Sequence, residues 1–268
     1  MSYRVRDEHR DPAAELNRLR AQVDLSWAAE LRHLRLLGVE GHESVLETGC
    51  GPGYVLERWR QAFPDAALTG LDLDNDLLQL GRSGPVGAAV QWVRGDATRM
   101  PFPGARFDLV LARFLWQHLR DPAAAATEAR RVLRPGGRIV VVDVDAELWG
   151  VAHPVFPEVI PIHVKHGRAQ ARRGGNRRIG RHLHRLLEDA GFQDVHLDVI
   201  AVSSDDVGLE PFLPQLDPDR QLIARRQGAV TETELEVLRS AHRRFVADPD
   251  AYVLMTHFVA SGTVPTPG

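Results

Sequence analysis

The chain has 268 residues, of which 44% are hydrophobic and 26% charged, a balance typical of a globular protein with a full core. Its formal net charge of −3 provides no basic field that would favour nucleic acid or an anionic membrane surface. The single cysteine, Cys50, excludes an intrachain disulfide, and no apolar stretch has the length of a signal segment or a bilayer span, so we expect a cytoplasmic protein.

The first predicted element is an amphipathic helix over residues 12–37. Its leucines, valine and tryptophan recur at spacings of three and four, and Gly38 is a suitable end. Because the helix precedes the first strand, we interpret residues 1–40 as an N-terminal helical cap. The helix either packs on the core, which we favour, or covers a pocket as a lid.

A strand, a glycine turn and a helix follow over residues 45–63. Val45 and Leu46 end an apolar run, glycines stand at positions 49, 51 and 53, and a helical pattern resumes at Tyr54. Such a turn lets the backbone approach a ligand closely. Tyr54 stands where a dinucleotide fingerprint requires glycine, so the pattern argues against a dinucleotide.

Strands and helices alternate through residue 143, which predicts an α/β fold with a doubly wound, mostly parallel sheet. Strands are predicted at 67–72, 89–93, 107–112 and 138–143, and helices at 54–63, 75–82 and 122–133. Ligands of such sheets bind at the carboxyl ends of the strands. Four acids stand at such ends: Glu47, Asp72, Asp96 and Asp143. Any one of them is equally well explained as a helix cap, but together they indicate a shared site.

Two insertions interrupt this alternation, at 145–176 and 205–248, on either side of a helix over 179–190 and a strand over 194–202. A final strand is predicted at 252–260. The first insertion ends in a basic loop, 172–178, for which we considered an acidic substrate group or RNA as ligand. The loop lacks interleaved aromatic residues and the chain is net negative, so a solvated hinge is favoured, with a mobile lid as a secondary hypothesis.

With these elements in place, the sequence resembles the class I S-adenosylmethionine-dependent methyltransferases, most closely the ubiquinone/menaquinone-biosynthesis type. Residues 45–53 are similar to the family's first motif, with Glu47 where the family commonly has aspartate. Asp72 matches the acid that binds the ribose hydroxyls, and residues 95–97 match the turn that reads the adenine. Residues 107–119 and 133–137 resemble the strand-four motif and the turn before strand five.

The resemblance implies a Rossmann-like sheet of seven strands with helical lid insertions, a cofactor-binding core over 43–144, and S-adenosyl-L-methionine as cofactor. The cofactor contacts that it implies are Glu47, Thr48, Gly49, Cys50, Gly51, Asp72, Leu73, Gly95, Asp96, Ala97, Arg113 and His118. For Arg113, a carboxylate-binding role and a surface salt bridge are equally compatible with the sequence. Cys50 is better explained as a small buried filler than as a nucleophile.

Methyl transfer to oxygen usually requires a base, and three histidines are candidates for catalysis: His118, His153 and His163. We favour His118 as cofactor contact or base over a structural histidine. No metal is expected, because His163 lacks cysteine or carboxylate neighbours at ligand spacing. The predicted function is methylation of a small-molecule metabolite at O, N or C in bacterial secondary metabolism, by a monomer or homodimer without nucleic-acid or membrane partners. A cyclase or isomerase that binds the cofactor without transferring methyl, and a module that senses it, remain alternatives.

Overall fold

The structure, a computed structural model, describes residues 12–226 and 228–267. Residues 1–11 of the predicted helical cap therefore lie outside the described part. The described chain contains eight strands and ten α-helices, joined by short 3₁₀ turns. The strands are β1 (Ser44–Thr48), β2 (Ala67–Asp72), β3 (Val90–Arg94), β4 (Phe107–Arg113), β5 (Leu133–Asp143), β6 (Gly150–His153), β7 (Gln193–Ser203) and β8 (Tyr252–Thr263). The helices are α1 (Pro12–Leu36), α2 (Tyr54–Ala62), α3 (Asn75–Ser83), α4 (Pro122–Val132), α5 (Ile160–Arg172), α6 (Leu183–Asp189), α7 (Ser204–Val207), α8 (Leu213–Leu216), α9 (Leu222–Arg226) and α10 (Glu232–Ala247).

All eight strands belong to one sheet. Its parallel part has the order β3-β2-β1-β4-β5, and β8 then pairs antiparallel with β5. β7 pairs with the outer edge of β8, while β6 pairs with the part of β8 that extends beyond β5. The doubly wound, mostly parallel sheet is thus confirmed. The prediction of seven strands misses β6, which lies inside the first insertion and is only four residues long.

The parallel strands are buried on both faces, as their near-continuous apolar runs predict. Because side chains alternate along a strand, neighbouring residues enter different halves of the core. Val45 and Leu111 face α1 and α2, whereas Leu46 and Val110 face α4 and α6. Trp59, which is fully buried in α2, packs against Trp27 of α1 with ring centroids 6.2 Å apart. α1 is therefore an integral part of one helical layer.

Helix ends agree with local sequence signals. Gly38 follows α1 with φ of 81°, and the side chain of Asp121 caps α4 by accepting from Ala124 N at 2.9 Å. In α10, Thr231 and Glu234 form a capping box. The helix predicted at 179–190 is instead a 3₁₀ turn at Ile179–His182 that leads into α6.

Candidate functional site

The glycine turn after β1 is held against the end of β2. The backbone N–H groups of Gly49 and Cys50 both donate to the carbonyl of Leu71, at 2.7 and 3.1 Å. Gly49, Gly51 and Gly53 all have positive φ, a conformation that favours glycine. A Cβ added at Gly51 would meet only Leu77, at 3.9 Å, so this turn presents open backbone to a ligand.

Asp72, at the end of β2, is oriented by two backbone donors. Its Oδ2 accepts from Gly51 N and its Oδ1 from Asp74 N, each at 2.8 Å. Burial raises the pKa of Asp72, and the hydrogen bonds from Asp74 and Gly51 oppose that rise. The carboxylate is consequently fixed beside the glycine turn, with lone pairs that remain available to hydroxyl donors.

Glu47, the last but one residue of β1, is a buried carboxylate with an unsatisfied oxygen. Its side chain belongs to a residue that is 3% exposed, and its Oε2 has no hydrogen-bond partner among the described residues. Burial raises the pKa of Glu47 well above its usual range, although the charge of Arg113 opposes the rise. An unpaired buried acceptor of this kind fits a ligand that carries a cationic donor.

A second turn, after β3, lies next to Asp72. Gly95 N donates to the carbonyl of Asp72 at 3.0 Å, and Asp96 Oδ1 accepts from both the backbone N–H and the hydroxyl of Thr98 at 2.8 Å. Ala97 is buried, whereas Leu73 is 42% exposed next to Asp72. These residues give the rim an apolar surface beside two carboxylates, which suits a ribose and a flat base.

Two other predicted contacts point away from the rim. The hydroxyl of Thr48 donates to the carbonyl of Leu111 in β4 at 3.2 Å, and the thiol of Cys50 packs over Gly70. Burial raises the pKa of the Cys50 thiol well above its usual value, which keeps the thiol protonated. Only the backbone of these two residues is positioned for a ligand.

Arg113, the last residue of β4, is committed to α1. Its Nε donates to both carboxylate oxygens of Glu30, at 3.0 and 2.9 Å, and its Nη2 donates to Ser26 Oγ at 2.8 Å. Both side chains of the ion pair are 4% exposed. The prediction of a surface salt bridge is therefore wrong, because the partner lies on the helix that covers this end of β4. A role of Arg113 in binding a carboxylate of the cofactor stays a prediction.

The chain turns sharply after Arg113. Phe114 has φ of 50°, a strained value for a residue other than glycine. Its ring contacts that of His257 edge-on, with centroids 4.8 Å apart. The turn carries Leu115 over the glycine turn, where a Cβ on Gly49 would come within 2.8 Å of it. The strain therefore occurs where the β4 loop meets the predicted cofactor turn.

His118 lies in the 3₁₀ turn that follows. Its Nδ1 is 3.4 Å from Nε2 of Gln170 in α5, so the first insertion reaches this histidine. The side chain has accessible surface, yet burial, followed by the charges of three arginines, lowers the pKa of His118 to about 4. The exposed side chain is thus surrounded by much protein, and we call the surface around His118 the recess. The imidazole is neutral at physiological pH.

Asp143 supports this turn from the end of β5. It has no exposed surface, and its Oδ2 accepts from Gln117 N at 3.1 Å. Burial raises the pKa of Asp143 to about 7, against the opposing effect of backbone donors and Arg177. Asp143 therefore positions the residue before His118 and does not itself reach the surface of the recess.

The other two predicted catalytic histidines lie in different surroundings. His163 projects from α5 and is exposed, yet desolvation and the charges of Arg177 and Arg220 lower its pKa, so Arg177 acts on both His163 and His118. His153 lies at the exposed end of β6, opposite Tyr252. Asp143 pairs with Phe258, six positions along β8, which is roughly 20 Å away at the rise of a strand. A catalytic role for His153 is not supported by this placement.

Two residues that the structure makes functional candidates were not singled out from the sequence. Glu30 occupies the apolar stripe of α1, one turn before Leu34. A charged residue in such a stripe indicates a buried ionic partner, and this signal was present in the sequence. Arg177 lies in the basic loop, and nothing in the sequence distinguishes it from its neighbours. Within the described residues, no group of histidine, cysteine and acid side chains is arranged to hold a metal ion. The described helices include none with the length and apolar character required to cross a bilayer.

A protein-family model described as "Methyltransferase domain" matches residues 46–141, which contain the glycine turn, Asp72, Asp96 and the β4 loop. The chain is 34% identical over 184 residues to the "Uncharacterized 37.1 kDa protein in transposon TN4556" of Streptomyces fradiae, covering 68% of this chain and 52% of that protein. It is 39% identical over 130 residues to a fatty-acid O-methyltransferase of Mycolicibacterium smegmatis, covering 48% and 44%. The chain thus spans about half the length of these relatives.

Among solved structures, a phosphoethanolamine N-methyltransferase 2 of Haemonchus contortus in complex with S-adenosyl-L-methionine shares the fold. The TM-score is 0.59 at 19% identity, over 99% of this chain and 61% of that one. At this level of identity the match concerns the fold alone. It includes the sheet whose carboxyl edge carries the site described above.

Proposed function

The chain belongs to the class I S-adenosylmethionine-dependent methyltransferases through residues 46–141, and on this premise we propose that it methylates a small-molecule metabolite. The finer part of the proposal is a role in bacterial secondary metabolism, of which the relatives support the bacterial origin. The residue assignments below belong to the same proposal.

The observation that carries the proposal is the unsatisfied Oε2 of Glu47 beside the open backbone of Gly51. A carboxylate sealed from water and lacking a donor is costly unless a ligand supplies one. The ammonium group of the methionine part of S-adenosylmethionine is such a donor. Asp72 would hold the ribose hydroxyls, and Asp96 with Leu73 would border the adenine. The residues present therefore fit this cofactor.

When bound, S-adenosylmethionine supplies a methyl group on a positively charged sulfur. The chain's own residues bind and orient the reactants and exclude water, which accounts for most of the catalysis of an in-line displacement. Leu115 and Phe114 form an apolar wall next to the glycine turn. His118 is neutral, but a pKa of about 4 makes it a weak base, so we assign it to orienting the acceptor by hydrogen bonding.

Binding and turnover are tested separately. Calorimetry with S-adenosylhomocysteine is expected to show binding that Asp72→Ala weakens at least tenfold, because two charge-assisted hydrogen bonds are lost. Asp72→Asn, which keeps an acceptor for Gly51, controls for collapse of the turn. Asp65→Ala, an exposed acid in the loop before β2, is the matched control and is expected to bind as the parent protein does.

Turnover is measured by incubating the protein with labelled S-adenosylmethionine and a host metabolite extract, followed by mass spectrometry for products one methyl heavier. A labelled product that disappears with Asp72→Ala supports methyl transfer. Tight binding without a methylated product in any extract replaces the proposal with a non-transferring cyclase or a sensor. Lack of affinity for both forms of the cofactor refutes all three functions.

A further inference from the structure

The basic loop of the first insertion is docked on the site, contrary to the prediction of a solvated hinge. Asn176 N donates to the carbonyl of Gln117 at 2.8 Å, and Gly175 N donates to the carbonyl of Gln170 at 3.2 Å. On the other side, Ala146 N donates to the carbonyl of Arg177 at 2.8 Å. These bonds fix the backbone of Arg177 between the β4 loop and the end of β5.

The guanidinium of Arg177 has no hydrogen-bond or ion-pair partner among the described residues. Its neighbours differ in this respect: Arg178 pairs with Glu147 at 3.0 Å, and Arg181 pairs with Asp145 and Glu147. Arg177 is only partly accessible, and burial lowers its pKa. A desolvated guanidinium without a hydrogen-bonded counter-ion is costly, as is any unpaired buried charge.

Three titratable groups experience the charge of Arg177. Its charge lowers the pKa of His118, of His163 and of Asp143, which agrees with the anchoring of its backbone between the β4 loop and the end of β5. Asp143 is the acid in that set, and its oxygens are occupied by backbone donors of the β4 loop and of Val144. Because burial raises the pKa of Asp143 to about 7, its charge neutralises Arg177 only in part at neutral pH.

Other cations strengthen the positive field in this recess. Arg18 of α1 acts electrostatically on both His118 and Arg177, and Arg173 acts on His118. Arg220, from the second insertion, acts on His163. Four arginines from three separate segments therefore converge on the recess, in a chain whose net charge is negative. Because Arg18 is itself paired with Glu15 at 2.6 Å, the selection of an anionic ligand rests on Arg177.

We propose that Arg177 binds a carboxylate of the acceptor molecule, so that the acceptors of this protein are organic acids. That the bound molecule is the methyl acceptor rests on the proposed function, whereas the presence of an anion site does not. The planar guanidinium offers two parallel N–H donors that match the two oxygens of a carboxylate. The acidic group is then bound next to the β4 loop that carries His118, to which the backbone before Arg177 is hydrogen-bonded.

The test compares matched probes on protein saturated with S-adenosylhomocysteine. Benzoate and decanoate are titrated against benzamide and decanamide, and phenyl phosphate against benzoate, by calorimetry or ligand-observed NMR. At least one acid is expected to bind about ten to a hundred times more tightly than its amide, because one bidentate charge-assisted contact distinguishes them. Arg177→Gln is expected to remove this preference, whereas Arg178→Gln, one residue away on the surface, is expected to keep it.

Three results would overturn the proposal: binding by neither acid, equal binding of acids and amides, or a preference that survives in Arg177→Gln. Tighter binding of phenyl phosphate than of benzoate would assign the site to phosphate and so refute the carboxylate. Thermal melting of each variant establishes that it is folded. If S-adenosylhomocysteine does not bind but the acids still do, the proposed function fails while the anion site stands.

Discussion

The buried ion pair between Glu30 and Arg113 is predicted to contribute strongly to stability. Glu30→Gln removes the charge that Arg113 faces, while leaving the size of the side chain unchanged. Burial alone would raise the pKa of Glu30, but the charge and hydrogen bonds of Arg113 outweigh it and hold the pKa below its usual range. The carboxylate therefore stabilises the fold above its unfolded-state pKa, and this contribution disappears as the pH falls through the lowered value.

The expected cost of Glu30→Gln is about 3–5 kcal/mol, because both side chains are 4% exposed and an unpaired buried charge remains. A control lies on the same helix: Asp24 pairs with Arg58 at 2.6 Å, with side chains 40% and 32% exposed. Asp24→Asn is expected to cost roughly 0–1 kcal/mol, since solvent screens that pair. Urea unfolding at pH 7 measures both free energies.

Replacing both partners separates the loss of the pair from the penalty of an orphaned charge. The double variant Glu30→Met with Arg113→Met is expected to be at least about 2 kcal/mol more stable than Arg113→Met alone, because no buried charge is left unpaired. If Glu30→Gln costs no more than Asp24→Asn, the reasoning is refuted, since burial would then not determine the strength of this contact.

Three further predictions concern pH and packing. The pH profile of kcat is expected to lack a rising limb near pH 6.5, because the pKa of His118 is about 4, and a limb there that His118→Gln removes would contradict this assignment. Gly81→Ala should destabilise by about 1–3 kcal/mol in urea unfolding, because its Cβ would lie 2.4 Å from the ring of Trp92. Gly167→Ala, which has open space within α5, should instead stabilise by about 0.5–1 kcal/mol, and equal effects of the two substitutions would refute the steric argument. Burial lowers the pKa of His257 to about 4, so unfolding stability should fall by about 3 kcal/mol on acidification from pH 7 to 4 on account of this residue; a fall of the same size in His257→Phe would disprove it.

The parts of the site that depend on the backbone could be predicted from the sequence. Glycine at alternate positions after an apolar run, and acids at strand ends, are local signals that locate the turn, Asp72 and Asp96. Their positions relative to one another follow from the parallel register, in which Glu47 is opposite Gly70 and Asp72 is opposite Arg94. The chain order of strands and helices is sufficient to bring these residues to one edge.

The contacts made by long side chains could not be predicted in this way. The partner of Arg113 is 83 residues away in the chain, and only the docking of α1 on the sheet brings Glu30 to it. Arg177 is one of several arginines in its loop, and its isolation depends on which neighbours find acids. His153 and His163 both stand in the first insertion and both are exposed, but β6 places His153 far along β8, whereas the charge of Arg177 acts on His163 of α5. Tertiary packing decides each case.

The pairing of β8 has a consequence for synthesis of the chain on the ribosome. Residues 252–263 pair with β5, β6 and β7, and among the described strands β7 pairs with β8 alone. Until that segment leaves the exit tunnel, β7 has no partner and β5 presents an open, apolar edge. The nascent chain must therefore keep a partly built sheet from aggregating for more than a hundred residues after β5 is made. Closure of the sheet by β8 is then a contact of large sequence separation, which favours slow completion of folding.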